Sequence, residues 1–287
     1  MAAKIISIVN NKGGVAKTTS TAFFGEILSL FGKKVLLVDT DESGNLSLLF
    51  NKFVDDSREV MLGNGEPETK NITEIFRYRY RTADDVTSCI YHVKPNLDII
   101  PASGRLRNIP DTLLLQARTQ NLNNNIILKR ALQSIADQYD YIFIDSAPRN
   151  DILIVNNLIA SNYILIPVRS DGFSLKGFKE VTAELGELQD EYDIEAQFLG
   201  LFQVAAETNT NIYKELDAEY REMLGRKNLP SIRKDVKVNE LLTVINDSLI
   251  DYTSTSNVLF DYCMLLLATG LLDDITAHLI KAAYDIK

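Results

Sequence analysis

The sequence predicts a single α/β domain with a mainly parallel, twisted sheet covered by helices on both faces. Three observations point there. Short, near-continuous apolar runs of strand length alternate with segments of helical periodicity, as strands buried on both faces require. No Pro/Gly/Ser-rich linker and no internal repeat divides the 287 residues, so residues 1–287 read as one domain with a small inserted region at about 51–94. Acidic residues and turn signals gather just after the apolar runs, and ligands of such folds sit at the carboxyl ends of the strands.

Taken in order, residues 5–9 form an apolar run that reads as a buried strand. Residues 10–16 are polar and hold Gly13 and Gly14, a tight loop, after which Lys17, Thr18 and Thr19 open a helix carrying Phe23, Phe24, Ile27, Leu28 and Phe31. Gly32 ends that helix, and Lys33 and Lys34 suit its negative end. Residues 35–38 are a second strand, ending at Asp39. Residues 51–87 are polar and weakly periodic, which predicts short helices and loops. A strand at 96–101 ends at Pro101, and helical spacing through Leu128, Leu132 and Ile135 predicts helix over 113–139. Strands at 141–144, 163–168 and 198–204 then alternate with helices at 152–160, 174–190 and 212–224. Pro167 is expected to break its strand, and helices fill 256–285.

Composition narrows the function. A hydrophobic content of 46% supports a sizeable core, and a net charge of −9 argues against a generally basic nucleic-acid binder. Any DNA contact must come from a local patch. The two cysteines, Cys89 and Cys263, form no C-x-x-C pair and fit a reducing cytosol without a disulfide or zinc framework. The start, MAAKIISIVNN, lacks a signal peptide's basic region, and no apolar run approaches the ~20 residues of a membrane span. A cytoplasmic protein is expected.

Strand, loop and a Lys-Thr pair at a helix start form the context of a phosphate-binding loop. Loop amides and the first free N–H groups of the helix converge there, reinforced by the helix dipole. Lys17 would reach the β/γ-phosphates, and the Thr18 hydroxyl would complete a Mg²⁺ shell. Gly13, Gly14, Val15, Ala16, Lys17, Thr18 and Thr19 are therefore the candidate nucleotide-binding residues. The strict pattern G-x-x-x-x-G-K-[ST] is not met, because Asn11 and Ala16 stand at its glycine positions. Ala16 is expected at negative φ, since a Cβ at positive φ costs roughly 1–2 kcal/mol.

Three apolar runs lead into polar ends: Asp39-Thr40-Asp41-Glu42-Ser43-Gly44-Asn45, then Asp145-Ser146-Ala147-Pro148 in a Walker B pattern, then Arg169-Ser170-Asp171. Alone, each is weak, because an Asp after a strand is usually a cap or turn residue. Together with the loop they make one constellation. Asp145 is the candidate to hold Mg²⁺ through water opposite Thr18, and Asp39 is a further candidate through water. Asp39 or Asp41 should face the γ-phosphate, where a carboxylate can orient and deprotonate the attacking water.

The run Lys12-Gly13-Gly14-Val15-Ala16-Lys17-Thr18-Thr19 resembles the deviant Walker A box, K-G-G-x-x-K-[ST], of the ParA/MinD class of P-loop ATPases, with Lys12 as the signature lysine. The resemblance covers nearly the whole chain. Where the family usually reads D-x-D-P-Q-(G/A)-N, this sequence keeps Asp39, Asp41, Gly44 and Asn45 but has Glu42-Ser43 for Pro-Gln. Lys234-Asp235-Val236-Lys237-Val238-Asn239-Glu240 is similar to a late basic segment of the family, with lysines for arginines. Ala206-Glu207-Thr208-Asn209 matches the family's D-x-R-T-N poorly.

This resemblance implies a ParA-like P-loop NTPase fold and an ATP-driven DNA segregation ATPase using ATP and Mg²⁺. It implies Asp41 as the hydrolytic carboxylate, with Lys12 and Lys17 at the phosphates. ATP would join a homodimer face to face, each Lys12 reaching its partner's phosphates. The dimer would bind double-stranded DNA without sequence preference, on the nucleoid, and a centromere-binding, ParB-like protein would trigger hydrolysis.

One feature of the residues supports the DNA reading independently. Between residues 221 and 237, Arg221, Arg226, Lys227, Arg233, Lys234 and Lys237 face only Glu222 and Asp235, a local charge of +4 in a chain of −9. Such a stretch is either a solvated helix face or a phosphate-contact patch with steep salt dependence. Arg77-Tyr78-Arg79-Tyr80-Arg81 interleaves cations with rings as single-strand binders do, but reads more simply as an aromatic edge with solvated arginines.

The alternative is a MinD-like or other deviant Walker A ATPase with a membrane, metabolic or cofactor-assembly role. The membrane branch needs a terminal amphipathic helix rich in Lys and Arg, and residues 275–287 carry only Lys281 and Lys287 as cations. No membrane partner is expected. Iron–sulfur relatives need paired cysteines, and small-molecule kinases or ligases share the fold without sharing the function. No DNA-reading segment precedes the loop, so sequence-specific repression is not expected.

Overall fold

The computed structural model describes residues 2–53, 70–77, 82–120, 123–170, 174–240, 249–250 and 257–272. Among them, β1 (Lys4–Ile8), β2 (Val35–Asp39), β3 (Tyr91–Lys94), β4 (Leu97–Ile100), β5 (Tyr141–Asp145), β6 (Tyr163–Arg169) and β7 (Gln197–Val204) form one sheet. Its order is β3-β4-β2-β5-β1-β6-β7. Every pairing is parallel except β3 with β4. The expected parallel α/β architecture is what the chain adopts.

The strands are buried on both faces because their residues alternate. Ile6, Ile8, Val35, Leu37 and Phe143 point into one core, shared with α1 (Lys17–Leu30). Ile5, Leu36, Val38, Ile142 and Ile144 point into a second core on the opposite face. That face is covered by α3 (Ile72–Arg77), α4 (Ala83–Thr87), α5 (Ile109–Gln120), α6 (Ile127–Gln133) and α7 (Ile152–Ala160). A third cluster joins α7 to α8 (Ser174–Tyr192) and α9 (Asn211–Leu224) over β6 and β7. The short α2 (Asn45–Leu49) follows β2, α10 (Val236–Glu240) follows the basic stretch, and α11 (Asn257–Ala268) packs on α1.

Three expectations change. Residues 113–139 are not one helix but α5, α6 and two short 3₁₀ turns at Asn124–Ile126 and Ala136–Gln138. Asn123 accepts from the Asn125 N–H at 3.0 Å, capping the first of these turns, and Asn124 donates to the Leu113 carbonyl at 2.7 Å, tying that turn to α5. Inside the expected insertion, β3 appears as an antiparallel edge strand, half exposed and so without an apolar run. Asn96, at φ 63°, turns the chain from β3 into β4.

Pro167, the third, lies within β6 and does not break it. Its carbonyl points to the β1 side, where it accepts from Asn10 Nδ2 at 2.7 Å. The missing N–H faces the same side, beyond the last β1 partner of β6 at Leu165, near the end of that pairing, where a proline is tolerated. Residues 54–69 and 78–81 of the inserted region and 273–287 of the predicted C-terminal helices fall outside the described residues. Among the described residues, no helix is long and apolar enough to cross a membrane.

Candidate functional site

Each element of the site hangs from the carboxyl end of a strand. After β1, Asn10 spans the loop entry, donating to Pro167 and accepting from the Lys12 N–H at 2.9 Å. Asn11 donates to Glu184 on α8 at 2.7 Å. Gly14 (φ 70°) and Ala16 (φ 59°) both take the left-handed conformation. The expectation of negative φ at Ala16 is therefore overturned. The turn places the Ala16 carbonyl to accept the Ser20 N–H at 2.9 Å, starting α1, at the cost of Cβ strain that functional loops often carry.

Lys17 is 7% exposed, and its ammonium curls back to the Lys12 carbonyl at 3.0 Å. Burial lowers its pKa, while attraction to Asp145 and Asp41 works the other way. Lys12 itself is exposed. Thr18 and Thr19, at the first turn of α1, line the adjoining cavity.

The carboxylates divide into two buried groups and one open one. Asp39 accepts from the Asp41 N–H at 3.1 Å and from the Ser47 N–H and hydroxyl at 2.9 and 2.6 Å. It thus ties the loop after β2 to α2. Burial pushes its pKa up to about 6 against those bonds. Gly44 makes the turn possible: its φ is +60°, and a Cβ there would lie 2.0 Å from the Phe53 ring. Asp41 lines the cavity, with one oxygen accepting from the Ser43 N–H at 2.9 Å.

Asp145 is 1% exposed, and neither of its carboxylate oxygens has a hydrogen bond of normal geometry among the described residues. Burial and the neighbouring Asp39 raise its pKa well above the ordinary carboxylate value, eased in part by the Thr18 hydroxyl and Lys17. A buried carboxylate beside a threonine hydroxyl is a donor set that fits a hard divalent cation.

The loop and Asp41 border a cavity of about 620 Å³, whereas the buried Asp39 and Asp145 are not among its lining residues. The loop from Gly13 to Thr19 forms one wall, and Asp41, Glu42 and Ser43 form another, with Pro148 and Arg149 beside them. Val204, Ala205, Ile232, Val238 and Tyr262 give it an apolar side. Arg149 pairs with Glu42, joining the loops after β5 and β2. Arg149 and Tyr262 were not singled out from the sequence, and Arg169 was read only as part of the third polar strand end. The two arginines do follow strand ends, but Tyr262 looks like any core aromatic and reaches the cavity only because α11 stacks it on Phe23, with ring centroids 4.5 Å apart.

The basic stretch is split in two by the fold. Residues 228–233 run beside β7, bridged to it at Leu201–Asn228 and Ala206–Arg233. Arg221, Arg226 and Lys227 are exposed at the far end of this run, with Lys227 over the Phe198 ring at 5.4 Å. Arg233 and Lys234 line the cavity at the other end. Arg233 is held by Asp261 at 2.7 Å, and Lys234 pairs with Glu207 at 2.6 Å. Lys237 lies just beyond on α10, where the Asp235 side chain accepts its N–H at 2.8 Å.

Comparison with known proteins bears on the family and the fold. Residues 3–198 match the AAA domain family AAA_31. The sporulation initiation inhibitor protein Soj of Bacillus subtilis is 28% identical over 241 residues, covering 83% of this chain and 87% of that protein. Among solved structures, the ATP complex of a Cyanothece McdA variant has a TM-score of 0.77 at 19% identity, over 95% of this chain and 98% of that one. A plasmid partition protein of Borrelia burgdorferi bound to AMPPNP has a TM-score of 0.71 at 24% identity, over 93% and 98%.

Proposed function

The chain belongs to the ParA-type P-loop ATPases of the AAA domain family, and on that premise we propose that it is an ATP-dependent DNA segregation ATPase. The observation that carries the reading is the convergence of the loop Gly13–Thr19 and Asp41 on one cavity, with the buried Asp145 set against Thr18 and Lys17 of that loop. ATP binds with its phosphates on the loop amides and on Lys17, which exchanges the Lys12 carbonyl for them. Thr18 and, through water, Asp145 would hold Mg²⁺, and Asp39 would support the same metal shell. When bound, the metal neutralises charge on the β- and γ-phosphates. Asp41, open to the cavity and not needed for the metal, orients the attacking water.

Lys12 acts across a homodimer formed face to face on ATP. Its exposure supports this, since an ammonium serving its own subunit's phosphates would lie inside the cavity. The dimer binds DNA without sequence preference through the basic stretch, and a ParB-like, centromere-binding protein triggers hydrolysis and release.

Gel filtration with and without ATP, in the presence and absence of DNA, tests the reading. The expected outcome is an ATP-dependent shift from monomer to dimer and retention of the dimer on unrelated DNA sequences. ATP turnover stimulated by a small metabolite but not by DNA would instead assign the chain to a metabolic branch of the same fold.

A further inference from the structure

Beneath the carboxylates lies a buried polar cluster that packing alone does not require. α7 carries Asn157, whose Nδ2 donates to Thr40 Oγ1 at 2.8 Å and to Ser146 Oγ at 3.2 Å. Thr40 in turn donates both its hydroxyl and its N–H to the Asp145 carbonyl, at 2.7 and 3.0 Å. Behind the amide, the Asn157 carbonyl accepts from Ser161 Oγ at 2.7 Å. Thr40, Ser146 and Asn157 are each 1% exposed.

Burying an amide and two hydroxyls is unfavourable unless every group is hydrogen-bonded, and apolar side chains of similar volume would fill the space at lower cost. Here the satisfaction is incomplete, because Asn157 Oδ1 has no partner among the described residues. A cluster of this kind contributes geometry rather than stability. Its geometry is specific. Thr40 sits between Asp39 and Asp41, and Ser146 directly follows Asp145. One side-chain amide therefore clamps together the two loops that carry the site's acidic groups.

We propose that Asn157 is a positioning residue for ATP hydrolysis, setting the spacing between Asp41 and the Asp145 side of the site by bridging Thr40 and Ser146. This rests on the reading of the cavity as an ATP site. Asn157 is buried behind Thr40 and Ser146 and does not line the cavity, so its loss should appear in the chemical step and not in ground-state binding.

The test compares wild type, Asn157→Ala, Thr40→Val and the double variant by AMPPNP binding and by single-turnover ATP hydrolysis. AMPPNP affinity should be unchanged in all four. Hydrolysis should slow by roughly ten- to hundredfold in each single variant, the scale of a small misplacement of reacting groups. The double variant should be no slower than the singles, because both break the same bridge. Thr40→Ser, which keeps the hydroxyl, should restore the wild-type rate. Wild-type hydrolysis in either single variant, or losses that multiply in the double, would overturn the proposal. If Asn157→Ala does not fold, Thr40→Val against Thr40→Ser decides by itself, with equal rates counting against it. A wild-type protein that binds no AMPPNP would sink the ATP reading instead, so the two failures are distinguishable.

Discussion

Asp39 and Asp145 stand directly opposite one another in register at the ends of β2 and β5, and both are buried. Two carboxylates so placed resist simultaneous ionisation unless a cation joins them.

A pH dependence follows. Asp39 has its folded pKa raised from 3.8 to about 6, so its neutral form favours the fold. That contribution is complete below the unfolded value and is lost as pH rises through about 6; Asp145, shifted the same way, carries the decline further. Without nucleotide or metal, stability should fall by roughly 2–3 kcal/mol on the Asp39 account as pH rises across this window. Asp39→Asn should flatten the fall in thermal denaturation between about pH 4 and pH 7. An unchanged slope would mean that the carboxylate is better solvated than its burial indicates.

Lys17→Ala should abolish nucleotide binding, since it removes the buried cation facing the cavity. Lys12→Ala should still bind nucleotide yet fail to form the ATP-dependent dimer. Calorimetry and analytical ultracentrifugation separate the two, and equal behaviour of both variants would deny Lys12 a role of its own.

Asp41→Ala should bind ATP normally, hydrolyse it at least roughly a hundredfold more slowly (about 3 kcal/mol in the barrier) and persist on DNA as a dimer. Single-turnover hydrolysis beside a DNA-retention assay measures this. Loss of ATP binding would place Asp41 with the metal, and near-normal hydrolysis would move the water-orienting role to Asp39.

Ala16→Gly should stabilise the nucleotide-free protein by about 1 kcal/mol, the strain of a Cβ at positive φ less the greater chain entropy of glycine. Calorimetric melting should rise by roughly two or three degrees. A fall would show that the Ala16 methyl packs well enough to outweigh its strain.

The divided basic stretch allows its two ends to be tested separately. Reversing Arg226 and Lys227 to Glu should weaken DNA binding similarly for all sequences and flatten its salt dependence. Reversing Lys234 and Lys237 should do the same if the cavity mouth also meets DNA. Electrophoretic mobility shifts over a salt series report both, and full retention in both variants would remove the stretch from DNA contact.

The parallel sheet, the loop between β1 and α1 and the three acidic positions were legible because strand runs and their polar ends are written locally in sequence. Features that depend on distant partners were not. Pro167 looks like a strand breaker until its carbonyl is seen to face Asn10 beyond the end of β1. Ala16 looks unsuited to positive φ, yet the loop geometry imposes it. The basic stretch reads as one patch, but the run of residues 228–233 along β7 carries its two halves apart. Asn157 gave no signal, being one of a pair of asparagines in the otherwise apolar segment Ile152–Ala160.

The run along β7 has a consequence for how copies of the protein can meet. Leu229 and Ile232 donate their N–H groups to the Leu201 and Gln203 carbonyls, both at 2.8 Å, so the outer margin of β7 is already occupied by the chain itself. At the opposite margin, β3 spans only Tyr91–Lys94 and its register shifts between His92 and Lys94, a short, irregular border that offers little template to an incoming strand. Neither border favours lengthening the sheet from one molecule into the next. Fibre-like stacking through strand pairing is thus disfavoured by construction.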